Sequence, residues 1–536
     1  MSVYASEEFT PDEQDILRRY FTNLDQPVFA LVNLPEVVKG AMFARYSRTH
    51  KSLRRLFLDE FVVDLDIAGD DTVDATVGLE RADELYQKVF VEYGDDSVAQ
   101  LGGVHLACEQ SSNLLTKILE WGRIMSYLEQ STRYLAYDTR LGGRYRYYRD
   151  PELLASNMGT RYVGDMDRIF DAYAELSGPM LEFFKARTPR PEGVSDFAHR
   201  QTVKAMAFDS IRGLLPAASL SNVGIYGSGQ AYEALLLRMR ANPLPEARAY
   251  ADMMLVELRK VIPSFLRRVD LPERGGVWSQ YLADNRAAME AVAADVLADV
   301  DGPDPVDGSP DVDLVDWDPD GEDKCIAAML YPFSSLPERT LVDHVRAMSA
   351  DEKVAVVRAY AGDRSNRRHR PGRALERTDY RFDILSDYGA FRDLQRHRML
   401  TIEWQDLSPR HGFVRPAAID AAGHADAFDR VMDRSAALYE DLLEGHRHHA
   451  PYAVAMAFRL RYVMQLNVRS AMHTLELRSG SNGHPSYRRV AQEMYRQIGD
   501  VAGHRALAEM FTFMDMGDGG EGRLEAEQQA EERRNR

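Results

Sequence analysis

Cysteine is scarce in this chain of 536 residues, which contains only Cys108 and Cys325. Two cysteines cannot build a disulfide scaffold or a cysteine-rich zinc module. Free thiols are normal in a reducing compartment, so we expect a cytoplasmic protein. The first residues, MSVYASEEFTPDEQ, are acidic and polar and lack the apolar segment of a signal peptide, which favours the same expectation.

Long apolar runs and an excess of positive charge are also missing. No stretch of about 18 uncharged apolar residues occurs, so we expect no membrane span. The formal net charge of −18 disfavours nucleic acid and anionic membrane surfaces as partners. A small anionic ligand remains compatible with this charge, because a pocket can be locally basic within an acidic protein.

Familiar metal and catalytic motifs are absent as well, since the chain has no H-E-x-x-H, no P-loop and no G-x-S-x-G. DWDPDG (316–321) resembles the start of a calcium loop, but the twelfth position is Ala327, so an acidic linker is favoured. HRHH (446–449) is better explained as a polar helix end, and we expect no metal site. GIYGSG (224–229) fits a phosphate-binding helix start or a close helix contact equally well.

The chain is long enough for two or three domains, and its hydrophobic fraction of 45% is typical of globular proteins. Most of the pattern is helical, and TPDEQ (10–14) predicts a capped helix start. Apolar runs at 28–34 and 326–333 are candidate buried strands, although such short runs also fit helices. An acidic segment dense in Asp, Pro and Gly predicts a linker at 291–323, which separates units at 1–290 and 324–515 from a charged, disordered or frayed tail at 516–536.

Two polar blocks are the strongest functional candidates. In RIMSYLEQSTRY (123–134), Arg123 and Arg133 offer forked donors suited to a phosphate or a uracil-like carbonyl edge. Ser126 and Ser131 add hydroxyl groups, and Glu129 suits an arginine partner or a ring N–H. Taken alone, a helix cap with surface ion pairs explains the block equally simply. The second block is RHRMLTIEWQDLSPRH (396–411).

Together these blocks resemble the flavin-dependent thymidylate synthase signature R-H-R-x-x-S-x-N-E-x-S-x-R-Y. The first block matches it at Arg123, Ser126, Glu129, Ser131, Arg133 and Tyr134, whereas Trp121, Gly122 and Leu128 replace Arg, His and Asn. The second block matches in a complementary way, at Arg396, His397, Arg398, Ser408 and Arg410, with Thr401 in place of the first Ser.

Further segments resemble the same family in both halves. YGDDSVAQL (93–101) is similar to the family's preceding segment, but it lacks that segment's histidines. QLNVRSAMHTLELRSGSNGHP (465–485) resembles the last helix pair, and Asn467, Ser470, Ala471, Thr474 and Arg478 share one helix stripe that faces either a ligand or a helix interface. SIRGLLPAASLSNVGIYGSG (210–229) is the version in the first half, with Arg212 matched and Gly227 and Gly229 in place of Asn and Arg. The chain is therefore identified as a tandem, divergent member.

The resemblance implies an α+β fold and an enzyme that converts dUMP to dTMP with FAD, methylenetetrahydrofolate and NADPH. It also implies active sites shared between units, so that a homodimer would form a pseudo-tetramer and each half would supply what the other lacks. The alternatives are a related flavoprotein acting on another pyrimidine nucleotide and a non-catalytic nucleotide-binding homologue. The implied roles are catalytic for Arg123, Ser126 and Arg478, substrate-binding for Glu129, Ser131, Arg133 and Arg410, and cofactor-binding for Arg396, His397, Arg398, Asn467 and Arg469.

Overall fold

The computed structural model contains two antiparallel sheets with the same strand order. The first consists of β1 (Val28–Leu31), β2 (Gly103–Ser112), β3 (Met125–Glu129) and β4 (Leu220–Ser228), ordered β1-β2-β4-β3. The second consists of β5 (Val312–Trp317), β6 (Asp379–Asp387), β7 (Thr401–Trp404) and β8 (Arg459–Asn467), ordered β5-β6-β8-β7. The structure describes residues 4, 7–34, 36–46, 49–62, 100, 102–133, 135–300, 311–517, 523–524 and 528.

Helices accompany both sheets, which confirms the predicted α+β class. Those described in the first part of the chain are α1 (Pro11–Leu17), α2 (Glu36–Tyr46), α3 (Leu53–Glu60), α4 (Asn113–Leu119), α5 (Pro151–Ala155), α6 (Gly159–Arg187), α7 (Asp196–Ile211), α8 (Gly229–Arg240), α9 (Pro245–Arg259) and α10 (Val277–Val296). Those described further along are α11 (Gly321–Leu330), α12 (Glu338–Arg346), α13 (Ala350–Ala361), α14 (Tyr388–Leu394), α15 (Ala417–Ala421), α16 (Ala425–Leu443), α17 (Val468–Arg478), α18 (Pro485–Asp500) and α19 (Arg505–Ala508).

Each sheet buries one face under apolar side chains. Strand β8 shows this most clearly, because Leu460, Tyr462, Met464 and Leu466 alternate with polar neighbours and are almost fully buried. An alternation with period two is the signature of a strand with one buried face. The predicted capped start of α1 is also confirmed, since Thr10 and the third helical residue form a reciprocal capping box.

Two compact units divide the chain, and each takes a segment from the other half. Unit 1 comprises Met1–Glu175, Leu215–Gly302 and Asp433–Ala455. Unit 2 comprises Leu176–Leu214, Pro303–Met432 and Met456–Arg536. This exchange differs from the predicted contiguous ranges, because composition and periodicity follow chain order and carry no information on which helix packs against which sheet.

Two predicted elements differ in the structure. Residues 326–333 are not a strand, because they belong to α11 and a following 3-10 turn. Acidic residues in the first turn of α11 and the good helix formers Ala and Leu favour this outcome. Strand β5 lies inside the predicted linker 291–323, where Val312 and Leu314 are buried and the intervening Asp313 is exposed. The aspartates that suggested a linker occupy the solvent face of an edge strand.

Candidate functional site

Four strand ends run directly into helices, and a capping side chain marks each junction. Ser112 and Asp387 cap α4 and α14, accepting from backbone N–H groups three residues further on at 3.0 and 2.8 Å. Ser228 and Asn467 cap α8 and α17 in the same way. These residue types are preferred N-caps. Because the junctions recur, residues counted from them can be compared position by position between the units.

An aspartate near the end of α14 joins three arginines in unit 2. Asp393 Oδ2 lies 3.3 Å from Nη1 of Arg212, and Asp393 Oδ1 lies 3.5 Å from Nη1 of Arg478. Arg396, three residues further along the chain, donates to the same Oδ1. Asp393 and Arg212 are 6% and 3% exposed. Three guanidinium groups therefore converge on one buried carboxylate, which makes this a basic cluster within an acidic chain.

The imidazole of His397 orients the guanidinium group of Arg478. Its Nε2 accepts from Nε–H of Arg478 at 2.9 Å, so the ring proton lies on Nδ1, which is 3.2 Å from Oγ1 of Thr474. Burial, followed by the charge of Arg478, lowers the pKa of His397 well below its usual value, which keeps the ring neutral. Thr474 and Arg478 lie one turn apart on α17, so two members of the predicted polar stripe meet His397.

A cavity of about 30 Å³ lies wholly within unit 2 and shares Arg212 with this cluster. A volume of this size holds about two water molecules or one small oxyanion group. Within the described residues, Nη2 of Arg212 has no hydrogen-bond partner. The residues around the cavity are Asp209, Arg212, Gly213, Asp387, Gly389, Val414, Pro416, Met456, Ala457, His484 and Ser486.

Gly389 allows the guanidinium group to approach the start of α14 closely. A Cβ atom at this position would lie 2.9 Å from Oδ1 of Asp387 and 3.2 Å from Nη2 of Arg212. Both separations are shorter than ordinary van der Waals contact. The glycine therefore leaves the space in which Arg212 meets the capped helix start.

Unit 1 has an internally paired cluster at the corresponding place. Nζ of Lys117 lies 2.6 Å from Oε2 of Glu120 and 3.3 Å from Oε2 of Glu129. The three side chains are 3%, 0% and 1% exposed. The ammonium group of Lys117 therefore lies between two buried carboxylates in unit 1.

The arginines of unit 2 are also replaced in unit 1. Counted from the caps, Trp121 corresponds to Arg396, and Met239 corresponds to Arg478. The guanidinium group of Arg238 lies over the Trp121 ring, 5.2 Å from its centroid, which is a cation–π contact. Unit 1 therefore pairs an arginine with an aromatic ring where unit 2 gathers arginines around an acid.

The junctions correct one detail of the sequence alignment. Ser228 faces β2 at the register position that Asn467 occupies opposite β6, and both residues cap the following helix. Ser228 therefore stands in place of Asn467, and Gln230 stands in place of Arg469. The alignment through Gly227 and Gly229 was displaced by one residue, because the glycines carried no capping side chain to mark the junction.

At a second pair of equivalent positions, the acidic residue is placed differently in the two units. In unit 1, Oγ of the cap Ser112 donates to Oε2 of Glu246 at 2.5 Å, and the OH of Tyr452 donates to the same oxygen at 2.7 Å. In unit 2, the cap is Asp387, and Oγ of Ser486 donates to it. Glu246 and Ser486 both follow the first proline of their helices, α9 and α18. Both units therefore retain a hydrogen bond between the cap and the later helix. The carboxylate belongs to the helix residue in unit 1 and to the cap in unit 2.

The buried carboxyl group of Glu246 is expected to make the stability of unit 1 depend on pH. Burial raises the pKa of Glu246 to about 7, although hydrogen bonds from Ser112 and Tyr452 act in the opposite direction. In the unfolded state the pKa of this carboxyl group is about 4.3. Between these two values the folded state retains a proton that the unfolded state has released. This contribution is therefore fully present below the unfolded pKa, is lost as pH rises toward about 7, and totals up to about 4 kcal/mol.

Urea unfolding at about pH 5 and about pH 8 measures this contribution. We expect Glu246→Gln to flatten the pH dependence of the unfolding free energy, because the amide does not titrate. Glu182→Gln, at a side chain that is 73% exposed, is the matched control and should leave the pH dependence unchanged. Equal pH profiles for wild type and Glu246→Gln would contradict the assignment.

The predicted residues of the first polar block lie on β3 and next to it. Arg123 and Ser126 are exposed, whereas Glu129 is buried in the lysine cluster described above. Ser131 and Arg133 are half-buried, and Oγ of Ser131 accepts from the backbone N–H of Arg133 at 3.2 Å. The structure brings these residues together along one segment, and their catalytic and substrate-binding roles stay predictions.

The predicted residues of the second half form two groups, one of exposed side chains and one of side chains that contact other parts of the protein. Arg396, Arg398 and Arg410 are exposed. Asn467 uses its Oδ1 to cap α17 at 2.9 Å, and Nη1 of Arg469 lies 3.2 Å from a carboxylate oxygen of Glu376. Their cofactor-binding and substrate-binding roles also stay predictions.

Some residues of the predicted motifs lie outside the described part of the chain. Of segment 93–101, only Gln100 is described, and Tyr134 and most of the tail 516–536 also lie outside the described residues. No group of three or more potential ligands is arranged for a metal ion in the part of the chain that the structure describes. No helix in the described ranges is long and apolar enough to cross a bilayer. Gly229 packs closely on Phe265, because a Cβ atom at this position would lie only 2.7 Å from Cβ of Phe265.

Sequence reasoning missed the acids that organise both clusters. Asp393 is three residues before Arg396, and Glu120 is three residues after Lys117, which is the spacing of neighbours on a helix. That spacing was available in the sequence, but such pairs are common on solvated helix faces. The signal that distinguishes these two acids is burial, which depends on the tertiary packing.

Comparisons with known proteins give a consistent family assignment. A family model described as thymidylate synthase complementing protein matches residues 42–264 and again residues 313–503. A UPF0159 protein of Chlamydia pneumoniae is 37% identical over 529 residues, which is 98% of each chain. A UPF0159 protein of Thermoplasma acidophilum is 30% identical over 516 residues, 91% of this chain and 97% of the relative.

A structural search also finds a UMP/dUMP methylase, PolB from Streptomyces cacaoi, bound with 5-Br dUMP. It is 18% identical, with a TM-score of 0.31, and the match covers 38% of this chain and 96% of that one.

Proposed function

Because this chain belongs to the thymidylate synthase complementing protein family, as a tandem member with one family match in each half, we propose that it methylates dUMP reductively to dTMP. The proposed one-carbon donor is methylenetetrahydrofolate, and the proposed cofactor and reductant are FAD and NADPH. The observation that carries the proposal is the set of three arginines that unit 2 gathers around Asp393, beside a cavity lined by Arg212.

The arginine cluster suits the anionic part of a nucleotide. Arg212 and Arg478 are largely buried, and a buried cation without a balancing anion is unfavourable. Guanidinium groups present paired donors that match phosphate oxygens. His397 fixes Arg478 through its Nε, and Nη1 of that guanidinium lies 3.5 Å from Oδ1 of Asp393.

The residues that would hold the flavin also fit such a group. Arg396 and Arg398 are exposed next to the cluster, and an exposed arginine pair suits the diphosphate of FAD. Asn467 and Arg469 extend the polar donors along the start of α17. When bound, the flavin supplies the hydride for the reaction, while the residues of this chain bind and orient the reactants.

The cysteines do not suit nucleophilic attack on the pyrimidine ring. Cys108 and Cys325 are both fully buried. Burial raises the pKa of Cys325 to about 12, and it raises the pKa of Cys108 as well, so neither thiol ionises near neutral pH. This supports a reaction in which no enzyme thiol attacks the uracil.

We further propose that the protein acts as a homodimer with four family units. Unit 1 would contribute Ser126, Glu129, Ser131 and Arg133, with Arg123, to recognition of the pyrimidine nucleotide. In unit 1 the lysine lies between two carboxylates, which favours a supporting role for this unit rather than a second complete cationic site.

The purified protein tests the proposal directly. We expect flavin absorbance in the visible range and release of the C5 hydrogen of dUMP when the folate donor and NADPH are added. Arg478→Met should abolish turnover, whereas Arg489→Met, at a side chain that is 57% exposed and paired with Asp311, should retain it.

Two other outcomes would replace the proposal. Bound flavin without turnover of dUMP would favour a related flavoprotein that acts on another pyrimidine nucleotide. A colourless protein that does not take up flavin on reconstitution would favour a non-catalytic nucleotide-binding homologue.

A further inference from the structure

A short loop of unit 2, between α13 and β6, carries five arginines. This arginine loop has the sequence RSNRRHRPGR (364–373), whereas the chain as a whole has a net charge of −18. Arg367, Arg368 and Arg370 are exposed, and within the described residues none of their guanidinium groups forms an ion pair. Asp363, directly before the loop, is the acid next to it in the sequence. The loop is therefore a basic surface on an acidic protein, which attracts anions.

A buried ion pair holds the arginine loop in place. Nη1 and Nη2 of Arg364 donate to the two carboxylate oxygens of Glu476 at 2.7 Å each, and these side chains are 2% and 1% exposed. Nε of Arg364 donates to the backbone carbonyl of His369 at 2.7 Å. A bidentate pair of this kind fixes geometry as well as charge. Glu476 belongs to α17, so the loop is tied to the helix that also carries Arg478.

The tip of the loop is a hydrogen-bonded turn. The backbone N–H of His369 donates to the carbonyl of Asn366 at 3.0 Å, and Oδ1 of Asn366 accepts from the backbone N–H of Arg368 at 2.8 Å. An asparagine at the first position of a β-turn commonly bonds the backbone two residues further on. Arg367 and Arg368 occupy the two central positions of this turn, so their side chains lie together at its tip.

Arg370 connects the loop to the histidines of the neighbouring cluster. Its Nη2 lies 3.2 Å from Nδ1 of His473. Because an arginine can only donate, Nδ1 accepts and the ring proton lies on Nε2. Burial, followed by the charges of Arg370 and Arg367, lowers the pKa of His473 to about 4, which keeps this ring neutral. The ring centroids of His473 and His397 are 5.7 Å apart, so the loop borders the site that contains Arg478.

The proposed function leaves one phosphate-bearing ligand without a site. The arginines around Asp393 suit the nucleotide, and Arg396 and Arg398 suit the diphosphate of FAD, so the remaining ligand is NADPH. NADPH differs from NADH by a 2′-phosphate monoester, which carries about two negative charges and three acceptor oxygens near neutral pH. Guanidinium groups match such oxygens with paired donors, and arginine is a usual partner of this phosphate.

We propose that the arginine loop of unit 2 binds the 2′-phosphate of NADPH through Arg367, Arg368 and Arg370. The inference rests on the proposed function for the identity of the reductant, whereas the site itself requires only a phosphate monoester on an adenosine ribose. Arg364 and Glu476 hold the loop in position and do not contact the ligand.

Calorimetric titration of the purified full-length protein with adenosine 2′,5′-bisphosphate and with 5′-AMP tests the proposal, because these probes differ only in the 2′-phosphate. We expect wild type to bind the bisphosphate at least about tenfold more tightly, since hydrogen bonds between charged groups are strong enough for that ratio. In Arg367→Gln/Arg368→Gln this preference should fall toward equal affinity. The matched control Arg489→Gln/Arg496→Gln removes the same charge from side chains that are 57% and 54% exposed, and it should keep the preference.

The ratio of kcat/KM for NADPH to that for NADH should fall in the same loop variant. Equal affinity of wild type for the two probes, an undiminished preference in the loop variant by either measurement, or a lost preference in the control would each overturn the proposal. The titration does not require turnover. A bisphosphate preference in a protein that does not convert dUMP would therefore support this site and contradict the proposed function, whereas conversion of dUMP without that preference would do the reverse.

Discussion

Replacing Lys117 with methionine should lower the free energy of unfolding by about 3–5 kcal/mol. The ammonium group lies between Glu120 and Glu129, and all three side chains are almost completely buried. Methionine has a similar volume but no charge, so the variant would leave two buried carboxylates next to each other. Removal of one partner from a buried ion cluster is far more destabilising than replacement of the whole cluster. Urea unfolding at neutral pH measures the difference from wild type.

Two comparisons isolate the cause of that loss. In Lys117→Met/Glu120→Gln/Glu129→Gln the charges of all three side chains are removed together, so this triple variant should recover most of the lost stability. Lys185→Met is the matched control, because Lys185 forms an exposed pair with Glu182 at the same three-residue spacing and should change stability by less than about 1 kcal/mol. A loss in Lys117→Met no larger than that in Lys185→Met would show that the cluster is not an essential part of the core of unit 1.

Glu129 allows the structural and functional roles to be separated further. Its resemblance-based role is substrate binding, while its carboxylate contacts Lys117 in the structure. Glu129→Gln would retain a hydrogen-bond acceptor for the lysine. A loss of dUMP affinity with little loss of stability would support the substrate role, and the opposite pattern would support a structural role.

Replacing Asp393 with asparagine should reduce kcat/KM for dUMP by at least about 30-fold. Asp393 is the common partner of Arg212, Arg396 and Arg478. A neutral amide cannot hold three guanidinium groups, and loss of one partner of a buried charge pair costs about 2–5 kcal/mol. A value near the lower end corresponds to the stated fold-change. Steady-state kinetics and the flavin content of the purified variant measure the effect.

A surface pair provides the matched control for Asp393. Asp383 accepts from Arg461 at 3.0 Å across neighbouring strands, and both side chains are about a third exposed or less. Asp383→Asn should therefore keep nearly full activity, since a partly exposed pair contributes little. Asp393→Asn with wild-type kinetics would show that the three arginines do not need this acid to reach their working positions.

The sequence predicted the family relationship because the matched residues recur in the correct order and spacing in both halves. It also predicted α1 from its capping box and the polar stripe from the three- and four-residue spacing along α17. These features depend on neighbours in the chain. The secondary structure of residues 326–333 was harder to predict, because a short apolar run fits a buried strand and a buried helix equally well. The structure resolves that ambiguity through the helix α11.

What the sequence could determine alone was therefore the tandem arrangement, the α+β class and the polar blocks, because residue type and spacing are properties of the chain. Only the tertiary structure decided that Arg212, from the first half of the chain, packs in unit 2 against Asp393, from the second half. It likewise decided that Lys117 lies between Glu120 and Glu129 and that Arg523 contacts Asp209. The physical reason is that the charge state and the partners of these groups depend on burial, and burial joins residues far apart in sequence.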